Sequence, residues 1–207
     1  MNEITAITPQ VKDKRRCNIY IDGRFCCGLT LETTVKNRLK VGQIISAEKL
    51  AEIQLESEKN TAFDKALSYL SATRKTEKQV REHLAGKGYL PAVCDFAVEK
   101  LRSYNFLNDG EYAEAYTEFA SNRKGKKLIR MELRNKGIAE EFIDEALSAM
   151  PKEREEEATE VCLQKYMRGK VCNKETLQKA YRYLLGKGYD YEIIKTALSK
   201  FVECEEE

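Results

Sequence analysis

The densest chemistry in the sequence is cationic. Residues 124–138 read KGKKLIRMELRNKGI, and between Asn122 and Gly137 stand Arg123, Lys124, Lys126, Lys127, Arg130, Arg134 and Lys136 against one acid, Glu132. Drawn on a helix, Leu128, Ile129 and Leu133 form a narrow apolar line, while Lys127, Arg130 and Arg134 share another face at i, i+3 and i+7. Like charges at that spacing cost about 0.2–0.5 kcal/mol each, and phosphates or an acidic protein surface would offset that cost. A second cationic group, Arg74, Lys75, Lys78 and Arg81, lies at the matching place earlier in the chain. This chemistry recognises an anionic partner and makes no bonds. Formal net charge is only +2 at pH 7, so attraction must come from local segregation of charge and not from a global field.

The other reactive residue types form no catalytic pattern. The single histidine, His83, sits beside Leu84 on a predicted helix and reads as structural or surface. Seven cysteines, Cys17, Cys26, Cys27, Cys94, Cys162, Cys172 and Cys204, contain no C-x-x-C and lack the paired spacing of a four-ligand zinc site, so reduced thiols acting as small hydrophobes are expected. Cys26 and Cys27 would point to opposite faces of a strand. Neither G-x-x-x-x-G-K-[ST] nor G-x-G-x-x-G occurs, and Gly86-Lys87-Gly88 reads as a helix end. Carboxylate runs such as EREEE at 153–157 read as solvated helix faces, and Asp109 reads as an N-cap. Tyr112, Tyr116 and Phe119 read as core; some of Tyr181, Tyr183, Tyr189 and Tyr191 are expected to be exposed. No enzyme activity, cofactor or metal is expected.

The elements that must carry these side chains are strands first and helices afterwards. Ile4–Ile7, the alternating stretch with Ile19 and Ile21, and Phe25–Leu29 read as strands, with Asp22-Gly23 as a tight hairpin turn that needs positive φ. A short helix over Leu31–Leu39 and an extended LKVGQII follow. From Ser46, a cap residue, the pattern turns helical: Leu50, Ile53, Phe63, Ala66, Leu67 and Leu70 mark one buried stripe. ESEKN within it is polar all round and reads as either a solvated part of one long helix or a break.

Aligned on Lys-Gly, residues 83–101, 132–150 and 183–201 superpose: Leu84 with Leu133 and Leu184, Val93 with Phe142 and Ile193, Ala97 with Ala146 and Ala197. The period is about fifty residues, from Gly88 to Gly137 to Gly188. Each unit has an upstream helix, a second helix starting near Thr76, Gly125 or Thr176, and a short amphipathic third helix. Thr76-x-x-Gln79 fits a capping box. Gly at the helix end accepts the left-handed conformation, and the preceding Lys meets the negative end of the helix dipole, worth about 0.3–1 kcal/mol.

The predicted fold class is therefore mainly α: tandem three-helix repeats forming an elongated curved bundle, with a small N-terminal β-hairpin module. The domain expectation is 1–45 for the β module, 46–105 for a linker helix and the first repeat, 106–151 for the second, and 152–207 for the third with an acidic tail (203–207). MNEITAITPQ has no basic or apolar export region, and no apolar run is long enough to span a bilayer, so a cytoplasmic protein without membrane contact is expected.

FLNDGEYAEAYTEF (106–119) resembles the hallmark segment of the bacterial RecX regulators, and KGKKLIRMELRNKGIAEEFIDEAL (124–147) resembles the segment that follows it. The pattern AL..L..R..T...V...L..KG (66–88) resembles the family's first repeat. The resemblance spans roughly 63–201 and reaches the N-terminal strands more weakly. It implies a regulatory protein, without catalytic residues or cofactor, that binds the RecA recombinase filament on single-stranded DNA. It implies restraint of filament growth or promotion of disassembly, and so lower strand exchange, ATP hydrolysis and co-protease activity, in DNA repair, recombination and the SOS response. Direct contact with single- or double-stranded DNA, and a monomer, are further expectations. The RecA- or DNA-binding candidates are the eleven cations named above. The alternative from the basic helix alone is a DNA- or RNA-binding helical module acting without RecA.

Overall fold

The computed structural model describes residues 2–11 and 13–206, with side chains in the last helix as far as Val202. The expected acidic tail at 203–207 and the thiol of Cys204 lie outside the described side chains. The described residues form three strands followed by ten helices. They divide into two compact units, one comprising the residues up to Arg74 with Val80–Leu107, the other Lys75–Gln79 with the residues from Asn108 onward.

In the first unit, β1 (Ile4–Pro9), β2 (Arg16–Ile21) and β3 (Arg24–Thr30) make an antiparallel sheet in that order. Asp22 and Gly23, at φ 47° and 79°, form the β2–β3 turn, which matches the right-handed strand twist only with positive φ at both central residues. Alternation then buries Cys17, Ile19, Cys27 and Leu29 with Ile4, Leu39, Ile45, Leu50 and Ile53, while Cys26 is exposed. After α1 (Leu31–Lys36) comes α2 (Ala47–Leu70), capped by Ser46, whose Oγ accepts from Lys49 N at 3.1 Å. The ESEKN segment is part of this one unbroken 24-residue helix. Ser57 within it is buried because its Oγ accepts from Thr30 N at 2.9 Å. One end of α2 thus covers the sheet through Leu50 and Ile53. Its other end joins α3 (Glu77–Ala85) and α4 (Pro91–Ser103) in a core of Ala62, Ala66, Val80, Leu84, Val93, Ala97 and Leu101. His83 stacks on Tyr69, ring centroids 4.1 Å apart.

The second unit holds α5 (Asp109–Ala120), α6 (Lys126–Asn135) and α7 (Glu140–Ser148), then α8 (Lys152–Met167), α9 (Lys174–Gly186) and α10 (Tyr191–Glu206). Ala113, Ile129, Leu133, Ile143 and Leu147 pack the first triplet; Leu163, Ala180, Leu184, Tyr189, Ile194 and Ala197 pack the second. The three-helix repeat is therefore real, and its turns coincide in detail. Gly88, Gly137 and Gly188 have φ of 86°, 84° and 83°. The next amide reaches back to the same carbonyl each time: Tyr89 N to Leu84 O at 3.3 Å, Ile138 N to Leu133 O at 3.2 Å, Tyr189 N to Leu184 O at 3.3 Å. That is the helix-ending motif in which a left-handed glycine lets the chain satisfy an orphan carbonyl.

Two of these turns also receive a helix N-terminus. Gly125 N donates to Lys187 O at 2.9 Å and Lys127 N to Gly188 O at 3.1 Å, and Lys126 N donates to Glu155 Oε1 at 3.0 Å. At the start of α3, Thr76 Oγ1 donates to Lys136 O at 2.7 Å, Glu77 N to Asp109 Oδ1 at 2.9 Å, and Lys78 Nζ to Asn135 O at 3.1 Å. The Thr76–Gln79 capping box forms as well, with reciprocal bonds of 3.1 and 3.3 Å.

Several sequence expectations change in this light. Asp109 does not cap its own helix: Asn108 does, accepting from Glu111 N at 3.1 Å, which frees the Asp109 carboxylate for Glu77. The second helix of the third repeat starts before Thr176, because Asn173 takes the cap and accepts from Thr176 N at 2.9 Å. Phe119 is 78% exposed and not core, because the buried stripe of α5 runs through Ala113, Thr117 and Ala120. Glu155, inside the run read as a solvated face, is buried by its bond to Lys126 N.

A Cβ at Gly125 would stand 2.3 Å from Gly188 O, whereas one at Gly186 in the same motif meets nothing within 4 Å. Gly125→Ala should therefore destabilise the second unit by about 2 kcal/mol or more. Gly186→Ala should stabilise it by about 0.5–1 kcal/mol by removing unfolded-state freedom. Urea unfolding of both variants checks this; equal effects would contradict the packing.

Candidate partner-binding surface

The cationic residues divide by what faces them. Lys127 Nζ lies 2.8 Å from Asp190 Oδ2; Arg130 meets Glu140 at 2.9 Å and Asp144 at 2.6 Å. Arg134 forks onto Glu140 through Nη2 at 3.0 Å and through Nε. The face that the sequence presents as uncompensated like charge is thus opposed by acids, a correction with a simple cause. Glu140 and Asp144 stand one turn apart on α7, which packs back on α6 across the Gly137 turn. The short bond to Arg134 holds the Glu140 carboxyl below its ordinary range. Such exposed pairs contribute about 0–1 kcal/mol and are screened by salt, so the cations stay available to a stronger anion.

In the earlier group, Arg81 pairs with Asp95, Lys78 is tied to Asn135 O, and Lys75 is half-buried. Arg74 and Arg123 are exposed. Among the described residues Arg74, Arg123 and Lys126 form no ion pair with an acid, while Lys136 acts on the Glu132 carboxylate; the ammonium of Lys126 donates to Met150 O at 3.2 Å.

One compact cluster gathers Lys124 and Lys136 around stacked rings. Tyr112 and Tyr116 lie nearly parallel, centroids 6.2 Å apart, and Lys136 Nζ sits 5.6 and 5.4 Å from them. Lys124 Nζ bonds Glu132 at 2.6 and 2.8 Å, and Tyr116 Oη donates to Glu132 Oε2 at 2.7 Å. Partial burial raises the Glu132 carboxyl most, but the bonds from Lys124 and Tyr116 together outweigh it and hold the carboxyl below its ordinary range. The Glu132 bond raises Lys124, and burial followed by Glu132 raises Tyr116. Two ammoniums against one carboxylate leave the cluster net positive, suited to an anionic group.

A second ring-and-lysine cluster, unread in the sequence, lies in the first unit. Phe63, Tyr104 and Phe106 form a chain with centroid separations of 6.1 and 5.9 Å, and Tyr104 and Phe106 are each 56% exposed. Lys100 stands over Phe63 at 4.3 Å and Lys59 over Phe96 at 5.0 Å. Helical spacing could have joined Lys59 to Phe63 and Phe96 to Lys100; the approach of α2 and α4 that unites them carries no sequence signal. Among the described residues no group of three or more His, Cys, Asp or Glu is placed to hold a metal ion, and no helix is long and apolar enough to cross a membrane.

Comparison with known proteins fits this architecture segment by segment. Residues 2–46 match the N-terminal domain of regulatory protein RecX; residues 62–101, 108–147 and 153–198 match the first, second and third RecX three-helix domains. The chain belongs to the RecX family. It is 32% identical to the regulatory protein RecX of Clostridium tetani over 206 residues, covering 98% of this chain and 95% of that one. It is 35% identical to that of Clostridium beijerinckii, covering 97% and 96%, and 33% identical to that of Bacillus subtilis, covering 95% and 76%. A crystal structure of regulatory protein RecX superposes with a TM-score of 0.75 at 27% identity over 95% of this chain and 98% of that one. RecX from Lactobacillus salivarius gives 0.63 at 26% identity over 69% and 96%. RecX proteins are thus the relatives of both the β module and all three repeats.

The Glu132 cluster has a defined pH signature. A carboxyl depressed on folding contributes stability that is complete above its unfolded value, about 4.3, and is lost as pH falls through the folded value. Glu132→Gln should lower stability at pH 7 by about 1–3 kcal/mol. The gap from the parent should shrink once the pH drops below about 4.3, read by urea unfolding across pH. A gap that widens on acidification would contradict the assignment.

Proposed function

We propose that this protein binds the RecA recombinase filament on single-stranded DNA and modulates its recombinase, ATPase and co-protease activities. The main effect is inhibition, by blocking filament extension or promoting disassembly. The observation that carries this reading is membership of the RecX family across the β module and all three repeats. It is a non-enzymatic role in cytoplasmic DNA repair, recombination and the SOS response. The contact set consists of Arg74, Lys75, Lys78, Arg81, Arg123, Lys124, Lys126, Lys127, Arg130, Arg134 and Lys136. Arg123 and Lys126, which pair with no acid of the fold, and Lys136, whose neighbouring acid Glu132 is already held by Lys124, contribute most. DNA-stimulated ATP hydrolysis by RecA of the same organism tests this. The protein should inhibit at a few-fold excess, and the combined Arg123→Glu, Lys126→Glu and Lys136→Glu variant should need about tenfold more protein, a loss of about 1.4 kcal/mol. No inhibition by the unmodified protein at several-fold excess over RecA would contradict the proposal.

The Phe63–Tyr104–Phe106 chain with Lys59 and Lys100 favours a second reading, a nucleic-acid-binding helical module acting without RecA. Bases stack on exposed rings at about 1–3 kcal/mol each while lysines meet phosphates. Affinity for an oligonucleotide should then fall steeply with salt, and Tyr104→Ala with Phe106→Ala should weaken it at least tenfold, about 1.4 kcal/mol. Binding unchanged by both substitutions would remove this reading.

A further inference from the structure

Each occupied junction has three parts: a Lys-Gly turn, an acid on the preceding helix, and the N-terminus of an incoming second helix. The acids stand in one register. Asp109 lies four residues before the fully buried Ala113, and Glu155 four residues before the fully buried Thr159. The first repeat has the same receiving parts. Glu58 lies four residues before the fully buried Ala62, and Lys87-Gly88 ends α3 with the same φ and the same back-reaching amide. Nothing among the described residues fills this position. A Cβ at Gly88 would meet no atom within 4 Å, whereas at Gly137 it would meet Lys78 Cβ at 2.6 Å and at Gly188 it would meet Leu128 N at 2.3 Å. Lys87, Gly88 and Glu58 are exposed.

The chain also has one incoming part left over. The N-terminus of α3 sits on the Gly137 turn and that of α6 on the Gly188 turn. The equivalent end of α9 carries exposed Asn173, Lys174 and Glu175. Its Asn173 side chain satisfies Thr176 N, which leaves the amide of Lys174 as the counterpart of Glu77 N and Lys126 N, the two amides that acids accept.

We propose that this chain self-associates head to tail, the N-terminus of α9 of one copy docking on the Lys87-Gly88 turn and Glu58 of another. The repeat-to-repeat junction already made within the chain would then continue between chains, with Glu58 accepting from Lys174 N. The contact is heterologous, so it builds open chains and not a closed two-fold dimer. It departs from the monomer expected from sequence, and it does not depend on RecA.

Sedimentation velocity of the reduced full-length protein tests this over roughly 10 µM to 1 mM, the range suited to a small interface. The sedimentation coefficient should rise steadily with concentration. Glu58→Lys should hold the protein as monomer. So should Lys174→Pro, which removes only the donor at a position where proline fits the first helical turn; Asn173 before it is already extended, at φ −138° and ψ 166°. Mixing the two variants should restore one junction and yield dimers that grow no further. A monomer throughout the range, or association that survives Glu58→Lys in a variant with unchanged circular dichroism, would overturn the proposal.

Discussion

The first amides of any helix have no partner within that helix, and burying them unsatisfied costs about 1–3 kcal/mol apiece. This fold meets that constraint by lending acceptors from one repeat to the next. At α6 the acceptors are Lys187 O, Gly188 O and the buried carboxylate of Glu155; at the start of α3 the Asp109 carboxylate takes the Glu77 amide, while Lys136 O takes the Thr76 hydroxyl. The arrangement demands glycine twice over. The turn must be left-handed, and the incoming backbone must approach so closely that a Cβ at Gly125 would stand 2.3 Å from Gly188 O. At Gly137 and Gly188 the Lys-Gly is accordingly both a helix stop and a docking ledge, and the second repeat is completed at the start of α6 by the third, as in repeat proteins whose stability resides partly in the interfaces.

The same geometry distributes the charge. Asp190 follows the Gly188 turn and meets Lys127, the second residue of the incoming helix, while Glu140 and Asp144 follow the Gly137 turn and hold Arg130 and Arg134. Cations are thereby pinned in place at small net energy, and the fold leaves Arg123 and Lys126 without an ion-pair partner and sets Lys136 beside a Glu132 that Lys124 already holds. A surface built this way is selective: an anionic partner must outcompete weak internal pairs at some positions and meets bare charge at others. The N-terminal sheet enters through a different logic, since α2 serves both cores, sealing the sheet with Leu50 and Ile53 and the first repeat with Ala62 and Ala66.

Much of the fold was legible because it is written in local signals: alternation around Asp22-Gly23, the Ser46 cap, and the apolar residues coincident about the three Lys-Gly turns. What the sequence concealed was tertiary. Glu155 sits in a run of acids that looks solvated, and only the arrival of Lys126 N buries it. Asp109 looks like a cap and is one, but for α3 and not for its own helix. The stacked cations at Lys127, Arg130 and Arg134 read as an unrelieved charge because their partners lie across turns, at separations no helical period marks. Phe119 fits the spacing of Tyr112 and Tyr116 yet faces solvent, because a rotation of one residue along α5 gives the buried face to small side chains.

Backbone amide hydrogen exchange by NMR, at concentrations of tens of micromolar or below, tests the interlocking of helix starts and Lys-Gly turns most directly. Helix-start amides exchange quickly when only water satisfies them. The account predicts slow exchange at Glu77, Gly125, Lys126 and Lys127, by roughly a hundredfold or more relative to Lys174 and Glu175, where no turn is in place to accept. Uniformly fast exchange at all of these positions would contradict it.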